Sequence, residues 1–542
     1  MKKILSLALV LALATPAVQI QAQSNNKSFE EFRKGLLDDF QSFRSRILEH
    51  YSDFLNGEWH EYEPLMPEKR YSEPKPDVAP SVEPVKETPR KPKPKPKPTA
   101  EAKPAPAPTP APAPEPKPAP APEPAPAPAP KPAPEPAPAP APQPKPELAA
   151  KPDARPSAGQ APAVAARPEH KQQPKKDVNA DLFQFYGMDL QVPKIDFNIK
   201  ERLLSTTEYG TQWADLAAHK VAESLTPSFK RISSAAGLND YLTYRLVNDY
   251  VNAKFPQADN TSKVSVVHYL LANLGYDARI ALTSNGIPIL LLPTEQMVYA
   301  RMGMTFDGNK YYIFLPDGVP DSAINGAMIR TCTLPSEASK GSKFDLVLGE
   351  LRIPYKPHAF DIQYGDLHLE GEVNANLMPI LYRYPQMPMA DYARSVIQPE
   401  LRNRIADQIR TQLADKEGES GVEAFLSFMQ HAFEYSTDQN FHGFEKPYFV
   451  EETLFYPKND CEDRAIFYTY FVKNALGKET QLVAFPGHEA ATVKLDTPVS
   501  GTSYNTDGET FFISDPTYVG AKSGMVMPQY RSVTPKVDYD YK

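Results

Sequence analysis

Residues 459–465 read Asn-Asp-Cys-Glu-Asp-Arg-Ala and set a cysteine among acidic side chains immediately before an apolar run. Cys461 is one of only 2 cysteines in the 542-residue chain. Asn459 and Asp460 are residue types that cap the start of a helix, and the apolar residues from Ala465 to Val472 continue one. This stretch therefore predicts a helix that begins at or next to Cys461.

The position of the thiol predicts a nucleophile. A cysteine reacts as its thiolate, and a helix N-terminus lowers thiol pKa values into a range of roughly 3.5–7.5. The unsatisfied amides of the first turn, including that of Cys461, also suit the oxyanion of a tetrahedral intermediate. A disulfide to Cys332 is the alternative, but one crosslink adds little to a globular region that can build its own core. Cys332 is interpreted instead as a small packed thiol.

Two later residues complete a set of three. His488 follows a Pro-Gly pair and precedes a strand-like run at 491–495, and Asp515 closes the apolar run 511–514. Covalent acyl transfer needs a thiol, an imidazole that deprotonates it and a carboxylate that orients the imidazole. Because the chain supplies these groups in that order, we predict Cys461, His488 and Asp515 as catalytic residues.

The motifs around these residues resemble the transglutaminase-like superfamily of papain-fold proteins. Bacterial members have Asp-Cys-Glu-Asp-x-Ala at a helix start, Gly-His before a strand and Asp-Pro-Thr after the next strand, as at residues 460–465, 487–488 and 515–517. The resemblance is close over those segments and weaker across 420–542 as a whole. It departs at 489–491, where many members have Ala-Trp-Val and this chain has Glu-Ala-Ala.

The resemblance implies an α+β catalytic domain in which Cys461 is the nucleophile, His488 the general base and then acid, and Asp515 the orienting group. It also implies an oxyanion donor ahead of the cysteine, for which Gln439 and Tyr435 are the candidates. The expected reaction is hydrolysis of a peptide or isopeptide amide bond through a thioacyl intermediate, because water needs no dedicated acceptor site. The expected substrate is a peptide, a protein or a peptidoglycan peptide.

Two alternatives stay open at this point. In a true protein cross-linking transglutaminase, an amine replaces water as the acceptor of the acyl group. In the other alternative, the protein is a non-catalytic binding or scaffold protein of the cell envelope that a polyproline spacer presents.

The N-terminal segment and the net charge bear on the location of the protein and on the classes of partner that it can bind. Residues 1–22 combine two lysines, an apolar run and a small residue before a cleavage point, which predicts a signal peptide and export to the periplasm or cell envelope. No later window offers the roughly 18 apolar residues of a transmembrane segment. A net charge of −8 argues against nucleic-acid binding. No metal-ligand spacing or nucleotide motif accompanies the three residues, so neither a metal nor a cofactor is expected.

Two segments precede the globular part. Residues 28–57 place aromatic and aliphatic side chains at steps of three and four, which predicts an amphipathic helix that self-associates or docks on a partner. Residues 74–176 are rich in proline, and every even position from Pro104 to Pro146 is proline. Such alternation predicts a disordered but extended linker of polyproline II type.

The globular part is interpreted as two α+β domains, at 180–340 and 341–542, of which the second is catalytic. Each contains a helical run, an apolar helix that ends in Leu-Gly, and strands with an Asp-Gly turn. The three positions of the first domain that align with the catalytic residues are Asn260, Gly286 and Leu315. If the second domain is a duplicate of the first, the first is a degenerate copy without catalytic groups.

Overall fold

A computed structural model describes residues 59–68, 179–306, 308–331 and 341–542. The predicted signal peptide, the predicted helix at 28–57, the proline-rich linker and Cys332 all lie outside these residues. Helices and strands are mixed throughout the described chain, which gives an α+β protein. None of the described helices is both long and apolar enough to cross a membrane.

The helices fall into a group before residue 280 and a group after residue 377. They are α1 (Thr206–Ala218), α2 (Val221–Ala236), α3 (Asp240–Lys254), α4 (Asn260–Leu274), α5 (Met378–Tyr382), α6 (Met389–Arg394), α7 (Pro399–Gln412), α8 (Ser420–His431), α9 (Asp438–Phe441), α10 (Val450–Thr453) and α11 (Cys461–Leu476).

The strands of the described residues form two larger sheets and three small two-stranded pairs. They are β1 (His60–Tyr62), β2 (Ala180–Phe185), β3 (Met188–Pro193), β4 (Arg279–Thr283), β5 (Pro288–Pro293), β6 (Gly303–Phe306), β7 (Asn309–Phe314), β8 (Ile329–Thr331), β9 (Pro357–Tyr364), β10 (Leu367–Asn374), β11 (Glu434–Tyr435), β12 (Lys458–Asn459), β13 (Thr480–Phe485), β14 (His488–Val493), β15 (Ser503–Thr506), β16 (Glu509–Ile513) and β17 (Lys536–Tyr541).

The two larger sheets share one topology. Their strand orders are β1-β8-β4-β5-β7-β6 and β17-β13-β14-β16-β15. In each, the two strands that follow a long helix pair antiparallel, the next hairpin extends the sheet, and a later strand returns antiparallel beside the first. Apart from β1, every strand of one sheet has a counterpart in the other, which is the arrangement that a duplication produces.

The two long helices that precede these sheets begin and end on similar signals. Asp259 caps α4 by accepting from the amide of Thr261 at 2.8 Å. Gly275 ends α4 with φ 107° and Gly477 ends α11 with φ 71°. Both values lie in the left-handed region, which glycine enters without the steric penalty of a side chain.

One continuous core joins the two halves. Buried side chains from α1 to β5 belong to the same cluster as those of α11 and β14, for example Trp213, Tyr269, Phe467 and Val493. Residues beyond 340 continue to pack on the first half, since Phe344 forms a bridge with Thr294 and donates its amide to Pro293. The described part of the chain from 179 onward is thus one compact body, and the predicted boundary at residue 340 does not separate two independent cores.

A short segment before the linker adds to the first sheet. Strand β1 pairs antiparallel with β8, and Leu65 exchanges backbone hydrogen bonds with Gly303 on the opposite edge strand. The ring of Trp59 lies 5.9 Å from that of Tyr209 in α1. No period-two pattern predicts this strand, because three residues are too few to show one.

Candidate active site

The predicted nucleophile is the first residue of α11 and is fully buried. Asp460 precedes it in an extended conformation, so the helix begins where the sequence predicts. Cys461 is not part of a disulfide, and its Sγ donates a hydrogen bond to Oε2 of Glu462 at 3.0 Å. The thiol therefore lies at a helix N-terminus, but in contact with a carboxylate.

The predicted imidazole and carboxylate are in direct contact. Nε2 of His488 lies 2.8 Å from Oδ2 of Asp515, and both side chains are buried. The other carboxylate oxygen, Oδ1, accepts from the amides of Thr517 at 2.9 Å and Tyr518 at 3.3 Å. Nδ1 of His488 has no hydrogen-bond partner among the described residues. A proton on Nε2 is thus held by Asp515, which leaves the lone pair of Nδ1 to accept another proton.

Adjacent strands position this pair. His488 is the first residue of β14 and faces Phe485, the last residue of β13, across a two-residue turn. Asp515 follows the end of β16, and β16 pairs antiparallel with β14 through Ile513 and Thr492. The amide of Ser514 donates to the carbonyl of Ala491 at 2.8 Å, so the chain beyond β16 continues antiparallel to β14 towards its first residue. This antiparallel pairing accounts for the contact between residues 27 positions apart.

An aromatic ring covers the imidazole. Tyr530 stacks on His488 with ring centroids 5.6 Å apart and an interplanar angle of 3°. Its hydroxyl donates to the carbonyl of Pro486 at 3.0 Å, and Phe485 stacks against both rings. Tyr530 lies in the segment that follows Asp515, where no sequence motif predicts a site residue. One face of the histidine ring is consequently shielded from solvent.

Arg464 and Gln430 connect the helix of Cys461 to Asp515. Nε2 of Gln430 in α8 donates to the carbonyl oxygen of Asp515 at 3.1 Å, and the carbonyl of Gln430 accepts from Nη1 of Arg464 at 3.4 Å. Arg464 also donates to Oδ1 of Asn459 at 2.7 Å and to the carbonyl of Phe433 at 2.8 Å. Burial lowers the pKa of Arg464 to about 10.

These contacts hold the first turn of α11 close to the histidine–aspartate pair. Within the described residues, however, no hydrogen bond joins the Cys461 thiol to the His488 ring. The structure thus forms the contact between His488 and Asp515, while the thiol contacts Glu462.

The acidic residues of the motif are buried rather than exposed on the first helical turn. Asp463 accepts from the amide of Tyr448 at 2.8 Å and from the amide of Asp460 at 3.2 Å. Asp460 in turn accepts from the amide of Asp438 at 3.3 Å. Burial, followed by the charges of Asp438 and Glu462, holds the pKa of Asp463 well above its usual range. The motif therefore organises the backbone ahead of the cysteine as well as supplying the thiol.

Several of these carboxylates lie close enough together to share a cation. Oxygens of Asp438, Asp460 and Asp463 lie within 4.8 Å of one another, as do oxygens of Asp438, Glu445 and Glu462. Carboxylate oxygens are the ligands that Ca²⁺ and Mg²⁺ prefer. The sequence shows no metal-ligand spacing because these side chains come from three separate positions of the chain, at 438, at 445 and at 460–463.

The two candidate oxyanion donors occupy different places. Tyr435 lies in β11, in parallel register with Asn459 of β12, and the guanidinium of Arg464 lies 5.4 Å from its ring centre. Gln439 lies in α9, is exposed, and donates its side-chain amide to the carbonyl of Gly443 at 3.1 Å. Of the two, Tyr435 is therefore the one beside the strand that leads into Cys461.

The first half carries other residue types at the three positions that align in sequence with the predicted catalytic residues. Asn260 is the first residue of α4, as Cys461 is of α11. Gly286 lies in the turn between β4 and β5, and Leu315 directly follows β7. None of these three positions carries a thiol, an imidazole or a carboxylate.

Comparison with protein-family models, with curated proteins and with solved structures gives no match to this chain. Evidence for a function therefore comes from the residues of the site. Gln430, Asp438 and Tyr530 also contribute contacts to that site, although no motif in the sequence marks them, whereas Arg464 lies within the motif at residues 459–465. Gln430 and Asp438 precede the motif and Tyr530 follows Asp515, so position along the chain is their only signal in the sequence.

Proposed function

We propose that the protein is an exported thiol acyl-transfer enzyme of transglutaminase-like type, which hydrolyses peptide or isopeptide amide bonds. The observation that carries the proposal is the buried contact between His488 and Asp515, in the half of the molecule whose helix begins with Cys461. Nδ1 of the same ring has no hydrogen-bond partner among the described residues, so we assign it the role of the base. In this proposal, the catalytic half adopts a papain-like arrangement and the first half is its degenerate copy.

The geometry supports the following steps. Asp515 keeps the proton of His488 on Nε2, so Nδ1 accepts the proton of the Cys461 thiol. The thiolate attacks the amide carbonyl carbon, and the amides of the first turn of α11 stabilise the oxyanion. As the carbon–nitrogen bond breaks, His488 returns its proton to the leaving amine. Water, deprotonated by His488, then attacks the thioester, and the carboxylic acid and the thiol are released.

The first step requires the thiol to leave Glu462 and reach Nδ1. Catalytic hydrogen bonds are commonly long or incomplete before substrate is bound and shorten in the complex. A rotation of the Cys461 side chain about its Cα–Cβ bond moves Sγ without moving the helix. We therefore propose that substrate binding completes the contact between thiol and imidazole.

Alkylation of the two cysteines tests the proposal within one molecule. The full chain is treated with iodoacetamide between pH 5 and pH 9, and the modification of Cys461 and of Cys332 is followed by mass spectrometry of peptides. We expect Cys461 to react faster at mildly acidic pH, and we expect the His488→Ala variant to lose that advantage. Cys332 serves as the internal control, because it lies outside the motif.

A second candidate function is supported by the burial of Cys461 and by its hydrogen bond to Glu462. A thiol held in this way suits a non-catalytic binding protein of the cell envelope. Equal, slow alkylation of both cysteines and no effect of His488→Ala would favour that candidate. Incorporation of a labelled primary amine into protein substrates would instead favour cross-linking over hydrolysis.

A further inference from the structure

A large cleft lies away from the three predicted catalytic residues. Its volume is about 840 Å³, and it is bordered by α3, by the end of β7 with the turn that follows, and by residues 375–383 and 455–456. Clefts of roughly 300–1,000 Å³ are the usual size of ligand sites. Neither Cys461 nor its two predicted partners line it, so it forms a separate site from the one described above.

The walls of the cleft are largely aromatic. The rings come from both halves of the molecule and include Tyr186, Tyr241, Tyr244, Phe314, Tyr382 and Tyr456. Tyr241 and Tyr244 are buried in the core, so these rings are fixed before any ligand arrives. Fixed tyrosines offer apolar surface at a small cost in side-chain entropy.

One arginine of the cleft is already neutralised. Nη1 of Arg245 lies 2.8 Å from Asp317, and its Nη2 lies 3.3 Å from Asp249. Asn248 and Asn252 also donate to Asp317, at 2.8 Å and 3.3 Å. This network holds Arg245 against two carboxylates of the lining and leaves it with no charge to offer a ligand.

Three other cations of the lining form no salt bridge within the described residues. Arg301 donates to the carbonyl of Ile313 at 2.9 Å and lies 4.5 Å from the ring centre of Phe314. Lys356 and Arg383 are exposed, and neither forms a salt bridge within the described chain. The one further acid of the lining is Asp321. The four cations of the lining, Arg245 and these three, thus exceed its acids Asp249, Asp317 and Asp321 by one, in a chain whose net charge is −8.

Arg383 acts electrostatically on Asp317, another residue of the lining. Although burial raises the pKa of Asp317, the hydrogen bonds and charges of Arg245 and Arg383 hold it below its usual value. The guanidinium of Arg383 therefore lies within electrostatic range of the first half, although Arg383 follows α5 in the second half. The cations of the lining therefore come from both halves of the chain, Arg301 from the first and Lys356 and Arg383 from the second.

We propose that this cleft binds an acidic segment of a peptide, whose carboxylates contact Arg301, Lys356 and Arg383 while the tyrosines pack against its backbone and side chains. Guanidinium groups bind carboxylates through two parallel hydrogen bonds, which sets both position and orientation. The inference rests on the proposed function, because an enzyme that acts on amide bonds meets peptides. Tyr456 lines the cleft five residues before Cys461, so peptide in the cleft adjoins the chain segment that leads to the thiol.

The test is a binding measurement on the full chain with Cys461→Ala, which removes the thiol and leaves the cleft intact. Fluorescence anisotropy follows a fluorescein-labelled hexaglutamate peptide, and the same peptide with glutamine at every position serves as the neutral ligand. We expect binding of hexaglutamate that weakens with salt, and little binding of the neutral peptide. Because the thiol is absent, failure of this test leaves the alkylation result for Cys461 unaffected.

Variants locate the binding. Arg383→Gln removes an exposed side chain that forms no salt bridge in the described chain, so it leaves the fold intact. We expect it to weaken hexaglutamate binding about tenfold, and the pair Arg383→Gln and Lys356→Gln to weaken it further. Arg404→Gln removes a matched charge from the exposed side of α7 and should have no effect. Equal loss in Arg404→Gln and Arg383→Gln, or no glutamate-dependent binding at all, would overturn the proposal, as would binding of a polygalacturonate oligomer in preference to the peptide.

Discussion

Replacement of Asp515 by asparagine tests the role of the carboxylate without changing its shape. In the native protein the amides of Thr517 and Tyr518 both donate to Oδ1 of Asp515. The side-chain oxygen of an asparagine can accept the same two hydrogen bonds. The amide nitrogen then takes the position of Oδ2, 2.8 Å from Nε2 of His488. Because that nitrogen donates, Nε2 must accept, and the imidazole proton moves to Nδ1. A ring in this tautomer cannot take a proton from the thiol of Cys461.

The expected loss follows from this change of tautomer. General-base catalysis contributes about 10²–10⁴-fold to a rate, so we expect amide hydrolysis to fall by that factor. Stability should change little, because the volume is conserved and the backbone contacts of Oδ1 remain. The assays are hydrolysis of a peptide substrate, the pH profile of alkylation at Cys461, and the melting temperature.

The pH profile separates an orienting role from a purely structural one. In Asp515→Asn, half-maximal alkylation of Cys461 should require a higher pH than in the unmodified chain, while the melting temperature stays close to its original value. Asp196→Asn is the matched control, because it removes an exposed acid far along the chain from the site. An unchanged rate and an unchanged pH profile in Asp515→Asn would refute the proposed role of the carboxylate.

Three further outcomes are expected. Both donor–acceptor distances between Arg402 and Glu451 are 2.8 Å, and neither side chain is exposed. Glu451→Gln should therefore lower the free energy of unfolding by about 3–5 kcal/mol in urea titrations, because it leaves a buried arginine without its charged partner. The double variant Arg402→Met with Glu451→Leu should recover most of that lost stability. Burial lowers the pKa of His268 to about 4, so between that pH and 6.5 the folded state binds fewer protons than the unfolded chain. The free energy of unfolding should therefore fall by about 3 kcal/mol as the pH drops from 6.5 towards 4. The His268→Gln variant should lose this pH dependence of stability. Asn260→Cys places a second thiol at a helix N-terminus without an adjacent His–Asp pair, and mass spectrometry should find it alkylated far more slowly than Cys461.

Much of the arrangement of the site was predictable because it depends on local sequence. The start of α11 follows from Asn459 and Asp460 ahead of an apolar run, and the structure begins the helix at Cys461. The contact of His488 with Asp515 follows from two neighbouring antiparallel strands, which alternation and turn residues reveal. The mixture of helices and strands is readable for the same reason, since each element carries its own periodicity.

The remaining features depend on contacts between distant residues, which a sequence pattern does not carry. Glu462 and Asp463 fit the exposed first turn of a helix, yet the fold buries both, because loop amides such as that of Tyr448 converge on Asp463. The proximity of Asp438 to these acids depends on the path of residues 438–459. The cover that Tyr530 forms over His488 depends on the return of the chain after β16. In each case the deciding partner is more than ten residues away or lies in a loop without periodicity.

The shared topology of the two halves allows the proposed requirement for a reactive thiol to be tested within one chain. Helices α4 and α11 have matching ends and each precedes the same antiparallel order of strands. A helix N-terminus is therefore common to both halves and cannot by itself account for a catalytic site. The second half differs by a thiol at the first helical residue and by an imidazole held by a carboxylate at the adjoining strands. If Asn260→Cys stays inert while Cys461 reacts, activation comes from the His488–Asp515 pair rather than from the helix terminus.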